Sequence, residues 1–385
     1  MLEKGFLGGR KYWIWMACLL LFMGAGFISW LFQFREGLGI TGMSRDISWG
    51  VYIANFTFLV GVAAAAVMVV LPYYVHHYKA FGRITILAEF LGVAAVTMCL
   101  LFILVDLGNP VRALNVILHP TPNSILFWDM VVLNGYLFLN IFIGWNVLTA
   151  ERKGSPPPGW LKPFIYLSIP WAISIHTVTA FLYAGLPGRH FWLTAIMAAR
   201  FLSSAFAAGP AMLILFCFIV RKTTKFNPGN EQIRTLSGIV TYAMILNVFF
   251  FLLECFTAFY SNIPGHMHTI VYLFRGLHGH TGLVPWMWVS AFFAVVSLVL
   301  LIVPAARRAD DVLAVACVSV FIACWIDKGV GLVIGGFIPN PLEHITEYVA
   351  TVPEVLITLG VWATGFFILS FLYKIAITVK EELRA

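Results

Sequence analysis

The chain has 385 residues, of which 61% are hydrophobic and 11% charged. A soluble domain carries about 25% charged and about 45–50% apolar residues, so a water-soluble globule is excluded. The formal net charge of +7 does not point to nucleic acid, because the Lys and Arg residues fall in short connections between apolar runs rather than on one face of a soluble module.

A helix needs about 20 apolar residues to cross the hydrocarbon core, and ten such runs lie near 13–34, 50–75, 84–105, 125–149, 163–185, 191–220, 235–262, 286–306, 311–337 and 353–379. The first is too long for the apolar core of a signal peptide, about 7–15 residues, and no small-residue cleavage site follows it. The ninth is interrupted by Asp327 and Lys328. The expected fold class is therefore an all-α integral membrane protein of about ten transmembrane helices. The six cysteines, Cys18, Cys99, Cys217, Cys255, Cys317 and Cys324, lie inside these runs and form no CxxC. They read as small buried apolar residues, and no metal site is expected.

Basic residues set the orientation. Seventeen fall on one side of the alternating loops: Lys4, Arg10, Lys11, Lys79, Arg83, Arg152, Lys153, Lys162, Arg221, Lys222, Lys225, Arg234, Arg307, Arg308, Lys374, Lys380 and Arg384. Five fall on the other: Arg35, Arg45, Arg112, Arg189 and Arg275. The positive-inside rule predicts a multi-pass protein of the cytoplasmic (inner) membrane with both termini cytoplasmic. The longest connections, 35–49, 106–124, 261–285 and 338–353, are all on the outer side, where a partner has most to touch. The SPPP run at 155–158 is a stiff connector between halves.

Ionisable groups at bilayer depth cost from about 2.5 to over 10 kcal/mol, so each needs a reason. His176 lies on the fifth span and Arg200 about nine residues into the sixth run. At 1.5 Å per residue both are expected roughly 13 Å deep, at one level, facing a common cavity. Asp129 in the fourth span, Glu254 in the seventh and the Asp327–Lys328 pair in the ninth fall at similar outer-half depths, with Tyr52 and Asn55 at the outer start of the second. Glu89 alone stands in the cytoplasmic half. This asymmetry predicts a polar pocket open to the outer side. Each residue also has a bland reading: Asp327 and Lys328 neutralising one another or bonding partner helices, Glu254 as a structural hydrogen-bond donor, His176 with Arg200 as a helix-bridging contact. Tyr183, two turns from His176, reads as an interface anchor or a further hydrogen-bond donor. Gly209-Pro210 is expected to kink the sixth helix and open space beneath the pocket.

A histidine, an arginine and a carboxylate in an apolar, aromatic-rich pocket suit a quinone, a flat ring whose two carbonyls accept hydrogen bonds and whose reduction takes up two electrons and two protons. The composition fits a carrier for an organic anion equally well. A bis-histidine haem b needs two facing histidines, and nine of the ten lie in loops or at span ends, although His278 or His280 keeps that reading open. An inert anchor for partner subunits is a further alternative.

Several stretches carry a resemblance: the SWG that opens the second span, the DxGxP that ends the third (Asp106 to Pro110), SIHTVTAFLYAGL on the fifth and RFLSSAFAAGPA on the sixth. Over nearly the whole chain they resemble the NrfD/PsrC (polysulfide reductase membrane subunit) family of quinone-interacting membrane subunits. Within it GITGMSRDISWG, LPYYVHHYKAFGRITIL and HPTPNS look closest to the DsrP branch of DsrMKJOP complexes. The resemblance implies one membrane domain over 1–385 built of two four-helix bundles. The first would span 50–150 and 163–185, the second 191–337, with 13–34 and 353–379 flanking.

The resemblance also implies exchange of electrons between menaquinone or menaquinol and a periplasmic relay linked to dissimilatory sulfur metabolism, through a site near the outer face. His176 and the Asp106 motif would border the quinone with Arg200 close by. Asp129 and Tyr183 complete the expected quinone-binding set. Glu254, Asp327 and Glu89 are expected to serve proton transfer if protons are translocated. Asn109 stands where many relatives carry a basic residue. The implied partners are a periplasmic ferredoxin-like iron–sulfur subunit, a multihaem cytochrome c, a haem b membrane subunit and a cytoplasmic heterodisulfide-reductase-like subunit, besides membrane lipid. No haem or iron–sulfur cluster is expected in this chain.

Overall fold

In hydrocarbon every backbone N–H and C=O must be satisfied internally, so a chain this apolar can span only as helices or as a closed barrel. The computed structural model describes residues 1–383, and every regular element among them is helical. Arg384, counted above among the basic residues of the terminal side, lies outside the described residues.

Among the described residues ten helices are long and apolar enough to cross a membrane. They are α1 (Arg10–Glu36), α2 (Val51–Tyr74), α3 (Thr85–Asp106), α4 (Ile125–Arg152), α5 (Gly159–Ala184), α6 (Met197–Thr223), α7 (Asn230–Tyr260), α8 (Val284–Ile302), α9 (Asp310–Phe337) and α10 (Val352–Glu382). An even number of crossings puts both termini on one face of the membrane, here named the terminal face. The chain is a multi-pass membrane protein.

Helices α2, α3, α6 and α9 are the most buried, and α1 and α8 show most of their surface to the surroundings. The interior is accordingly made where α2 packs against α3, α6 and α9. α1 lies along α10, which in turn packs on α3. The α1–α10 contact is close because two glycines meet: a Cβ on Gly360 would stand 2.8 Å from the Gly26 Cα. Small residues at crossing points let backbones approach where no hydrophobic effect drives helices together in lipid.

Three departures from the sequence reading matter for the site. The run at 191–220 does not begin as a helix; His190–Trp192 is a short 3₁₀ turn, an irregular stretch follows, and α6 starts at Met197. Gly209-Pro210 opens no space. A Cβ at Gly209 would lie 2.8 Å from the Ala65 nitrogen, so the glycine seats α6 on the break in α2 at Ala64. The third departure is α9, which runs as an α-helix to Cys324 and then as a π-helix over Trp325–Ile334. Cys18 also differs, being exposed on the α1 surface rather than buried.

The glycine contact is testable. Gly360→Leu should cost about 2 kcal/mol through overpacking against a backbone that cannot yield, read as a lowered melting temperature in detergent. Gly24→Leu, which has open space around it, should leave that temperature unchanged.

Candidate functional site

His176 on α5 has no exposed surface, and neither ring nitrogen has a hydrogen-bond partner. Buried polar atoms are nearly always partnered, which makes this orphaned imidazole the least explained group of the interior. One helical turn along α5, Thr179 donates to the Asp129 carboxylate of α4 at 2.6 Å. One turn further, Tyr183 shares a short hydrogen bond with Thr57 of α2. Tyr183 is fully buried, its ring edge-on to Trp49 and Trp192 at 5.5 and 5.2 Å. It is therefore an interior residue and not an interface anchor. His176, Asp129 and Tyr183 thus line one α5 face against α2 and α4.

Arg200 does not join them. α6 begins at Met197, so Arg200 is one turn into its helix. The guanidinium reaches across to α9 and meets Asp327 at 3.3 Å, and it sits 5.5 Å from the centroid of the Phe251 ring. Asp327 therefore pairs with Arg200 and not with its neighbour Lys328. The Lys328 ammonium is buried, 3.4 Å from the Phe201 carbonyl and 4.2 Å from the centre of the Phe201 ring. It lies within electrostatic range of both His176 and Arg200. The pair lies in the π-helix, where Asp327 meets α6 while Gly329 sits against the α2 backbone; a Cβ there would come 2.9 Å from the Ala54 oxygen. Such π segments occur often at functional sites.

Asp106, at the end of α3, belongs to a third group, nearer the face opposite the termini. One of its oxygens is buried without a partner, close to Tyr52 and Glu354. Tyr52 donates to Gln33 at 2.6 Å, and Gln33 donates to the Val105 carbonyl at 2.6 Å. Glu354 is fully buried and accepts from Tyr348, the Gly42 amide and the Thr351 amide at 2.6–2.8 Å. Asn55 serves structure: its oxygen accepts from both Trp325 and Trp362, at 3.0 and 2.9 Å.

Of the remaining residues, Glu254 accepts from Thr194 at 2.5 Å, so it braces the irregular stretch before α6. Glu89 on α3 is buried with both oxygens unpartnered, and Gly144 of α4 gives it room. Nearer the terminal face, Lys380 pairs with Glu151 at 2.8 Å. Sequence reasoning missed Gln33, Asn247, Glu354 and the independent position of Lys328. For Glu354 a signal was available, since Thr351-x-x-Glu354 has the capping-box spacing and forms that box.

The opposite face is tied down by Asp46. Its carboxylate accepts from Thr346 at 2.9 Å and from Asn340 at 3.2 Å, while Arg189 donates to the Asp46 carbonyl and lies over Phe337. The bonds from Thr346 and Asn340, with Arg189 and Arg45 nearby, hold the Asp46 carboxyl below its usual range.

With this geometry in place, comparison with known proteins is informative. Residues 39–338 match the family described as Polysulphide reductase, NrfD. The chain belongs to the NrfD family. It is 25% identical over 391 residues, 95% of this chain and 86% of the relative, to a Halobacterium salinarum protein named as a membrane subunit of dimethyl sulfoxide reductase. It is 21% identical to the menaquinone reductase integral membrane subunit of Nitratidesulfovibrio vulgaris, over 94% of this chain and 91% of that one. It is also 21% identical, over 63% and 60%, to the Hdr-like menaquinol oxidoreductase integral membrane subunit of Archaeoglobus fulgidus. These relatives are named as membrane subunits of oxidoreductases.

Two outcomes follow from the geometry. Asp327→Asn strands a buried guanidinium and should destabilise the protein by about 3 kcal/mol; adding Arg200→Met should recover most of that loss in a thermal-unfolding cycle. A carboxyl held below its usual value contributes stability above its unfolded value, near pH 3.9, and loses it only as pH falls through the lower folded value. Protease nicking of the 338–346 segment should therefore stay constant from pH 7 to pH 5 and rise below about pH 4, while Asp46→Asn should show raised nicking already at pH 7.

Proposed function

We propose that this chain is the quinone-interacting membrane subunit of a respiratory electron-transfer complex, and that it takes a menaquinone or menaquinol at His176. The observation that carries this reading is the His176 imidazole, buried, with both nitrogens unpartnered, a turn from the Asp129–Thr179 bond. The names of two relatives, a menaquinone reductase and a menaquinol oxidoreductase subunit, support it. A quinone carbonyl would give the orphaned ring nitrogen its missing partner, so the residues present fit the group.

When bound, the quinone supplies two-electron, two-proton redox chemistry. The protein's part is to hold, orient and exchange protons. In the neutral imidazole one nitrogen carries a proton and the other accepts one, so His176 can both donate to a carbonyl and pass a proton on. Asp129 is held by Thr179 in a fixed orientation and can accept a proton without leaving its place. Tyr183, bound to Thr57 and wedged among Trp49, Trp192 and Phe201, fixes the apolar wall and keeps water out. Asp106 with Tyr52 would border the way from this wall to the membrane face opposite the termini. Arg200, engaged by Asp327, sets the potential at a distance rather than by contact.

On this reading the terminal face is cytoplasmic, in keeping with its excess of Lys and Arg. Helices α2 to α5 form the quinone-bearing bundle, α6 to α9 the second, and α1 and α10 flank them. The opposite face would meet a periplasmic iron–sulfur or cytochrome c relay linked to dissimilatory sulfur metabolism, with haem b and heterodisulfide-reductase-like subunits completing a DsrP-type complex. Glu89, with two unpartnered oxygens on the terminal side, and Glu254 and Asp327 on the other would serve any proton path.

A fluorescence-quench titration of the purified protein with a menaquinol-analogue inhibitor tests the assignment. His176→Ala and Asp129→Asn, if folded, should each weaken saturable binding by about tenfold, the loss of roughly one well-made buried hydrogen bond. Binding that neither changes would move the site elsewhere, and absence of binding would end the quinone reading. Proton translocation has its own test: if Glu89→Gln, Glu254→Gln and Asp327→Asn complexes in vesicles keep full turnover and full pH change, none of the three carries protons.

A further inference from the structure

An opening into the protein lies among the helices of its second half. Between α7, α8 and α9 there is a cavity of about 210 Å³. Phe251, Met287, Ala294 and Leu298 form its apolar walls. Leu252 and Val295 stand at its rim, 58% and 60% exposed. Both belong to membrane-spanning helices, so the cavity opens sideways into lipid.

Its inner end is polar. Asn247 and Asp327 line it, and the same two residues line a small hollow shared with Arg200, Ser204 and Lys328. Asp327 is engaged by Arg200. Asn247 is not engaged: it is 6% exposed, and among the described residues its side-chain amide has no hydrogen-bond partner. An amide left unpaired at this depth is costly, and it faces the cavity where a ligand would satisfy it.

Depth decides the class of ligand. Asn247 lies thirteen residues before the end of α7 at Tyr260, about 20 Å along the helix and thus near the bilayer midplane. A phospholipid or fatty-acid headgroup would have to carry its charge there, at a steep cost in lost hydration, and would meet the Asp327 carboxylate. A neutral, flat headgroup with carbonyl acceptors and an apolar tail has neither obstacle. Asn247 can donate to such a carbonyl while the tail leaves between Leu252 and Val295.

We propose that this cavity is a second binding site for an isoprenoid quinone, separate from the one at His176 and closed by the Asn247 amide. The proposal rests on the quinone reading above in its choice of ligand. The Arg200–Asp327 pair and the buried Lys328 then stand between the two sites, one on the α6–α9 side and the other on the α5 side.

The test uses the full chain in phosphatidylcholine nanodiscs with a photoreactive naphthoquinone bearing an isoprenoid tail, the labelled peptides being located by mass spectrometry. Two separate patches are expected, one on α5 or α4 and one on α7 or α8. Ala294→Phe, which fills the cavity, should abolish the second patch and leave the first. Asn247→Leu, which keeps the branched outline and is safer for folding, should weaken the second by about fivefold, the worth of one net hydrogen bond. His176→Ala should do the reverse. Labelling of the α5 or α4 patch alone would overturn the second site and leave the proposed function standing, while no saturable labelling of either patch would overturn both. Labelling of α7 or α8 that is insensitive to both cavity variants, or is displaced equally well by oleate, would show an acyl-chain crevice and overturn the proposal.

Discussion

Hydrocarbon offers no partner for an ionised or hydrogen-bonding side chain, and the interior of this protein is organised around meeting that constraint at one place: the Arg200–Asp327 pair. A guanidinium stays charged under all ordinary conditions, so Arg200 needs a carboxylate delivered to it. An α-helical α9 would set Asp327 and Lys328 on adjoining positions about 100° apart. Within the π segment at Trp325–Ile334 the two neighbours diverge: Asp327 reaches Arg200 while Lys328 lies at the Phe201 ring and carbonyl. The glycines of the segment keep it close to α2 and α8; a Cβ at Gly331 would come 2.7 Å from the Met287 sulfur. The pair, the π-helix and the tight α2–α9 packing are one device.

How much of this could be read from the residues alone divides along physical lines. The ten crossings were legible because hydropathy over about 20 residues is a strong signal and each run had to satisfy its own backbone. The start of α6 was not, since Phe191 and Trp192 are as apolar as any helical residue yet are buried in an irregular stretch, with the Trp192 indole donating to the Leu332 carbonyl at 2.7 Å. Arg200 accordingly stands one turn into α6 rather than about nine residues into it. Depth along a helix is only as good as the helix boundary. The π-helix was equally invisible: adjacency left Asp327 and Lys328 open to two readings, neutralising one another or bonding partner helices, and it is the second that the structure shows.

The candidate site residues divide in the same way. Asp129, His176 and Tyr183 were identified from depth, and they do share one face of α5 with its neighbours. Their partners Thr179 and Thr57 carried no signal, because a threonine in a transmembrane helix ordinarily bonds back to its own backbone, as both do here as well. Asn247 went unnoticed for a related reason. A single amide in an apolar run is a modest departure in composition, and its meaning comes only from the cavity beside it and the absence of a partner.

Partnering separates structure from function more sharply than depth does. Asn55, Gln33 and Glu354 are as buried as His176, but each is bonded through to neighbouring helices or loops, and their removal would be felt as instability. His176, Glu89 and Asn247 are buried and unbonded, so the fold bears their cost without any contact in return. Each such group in a folded protein calls for an explanation, and a partner from outside the chain is one. Two of the three stand beside apolar walls on the membrane half away from the termini or at its midplane, and the third, Glu89, stands toward the terminal face. A ligand that brings carbonyls answers the first two. On the proposed reading, the unpartnered Glu89 carboxyl would answer to protons from the side of the membrane away from Asp106.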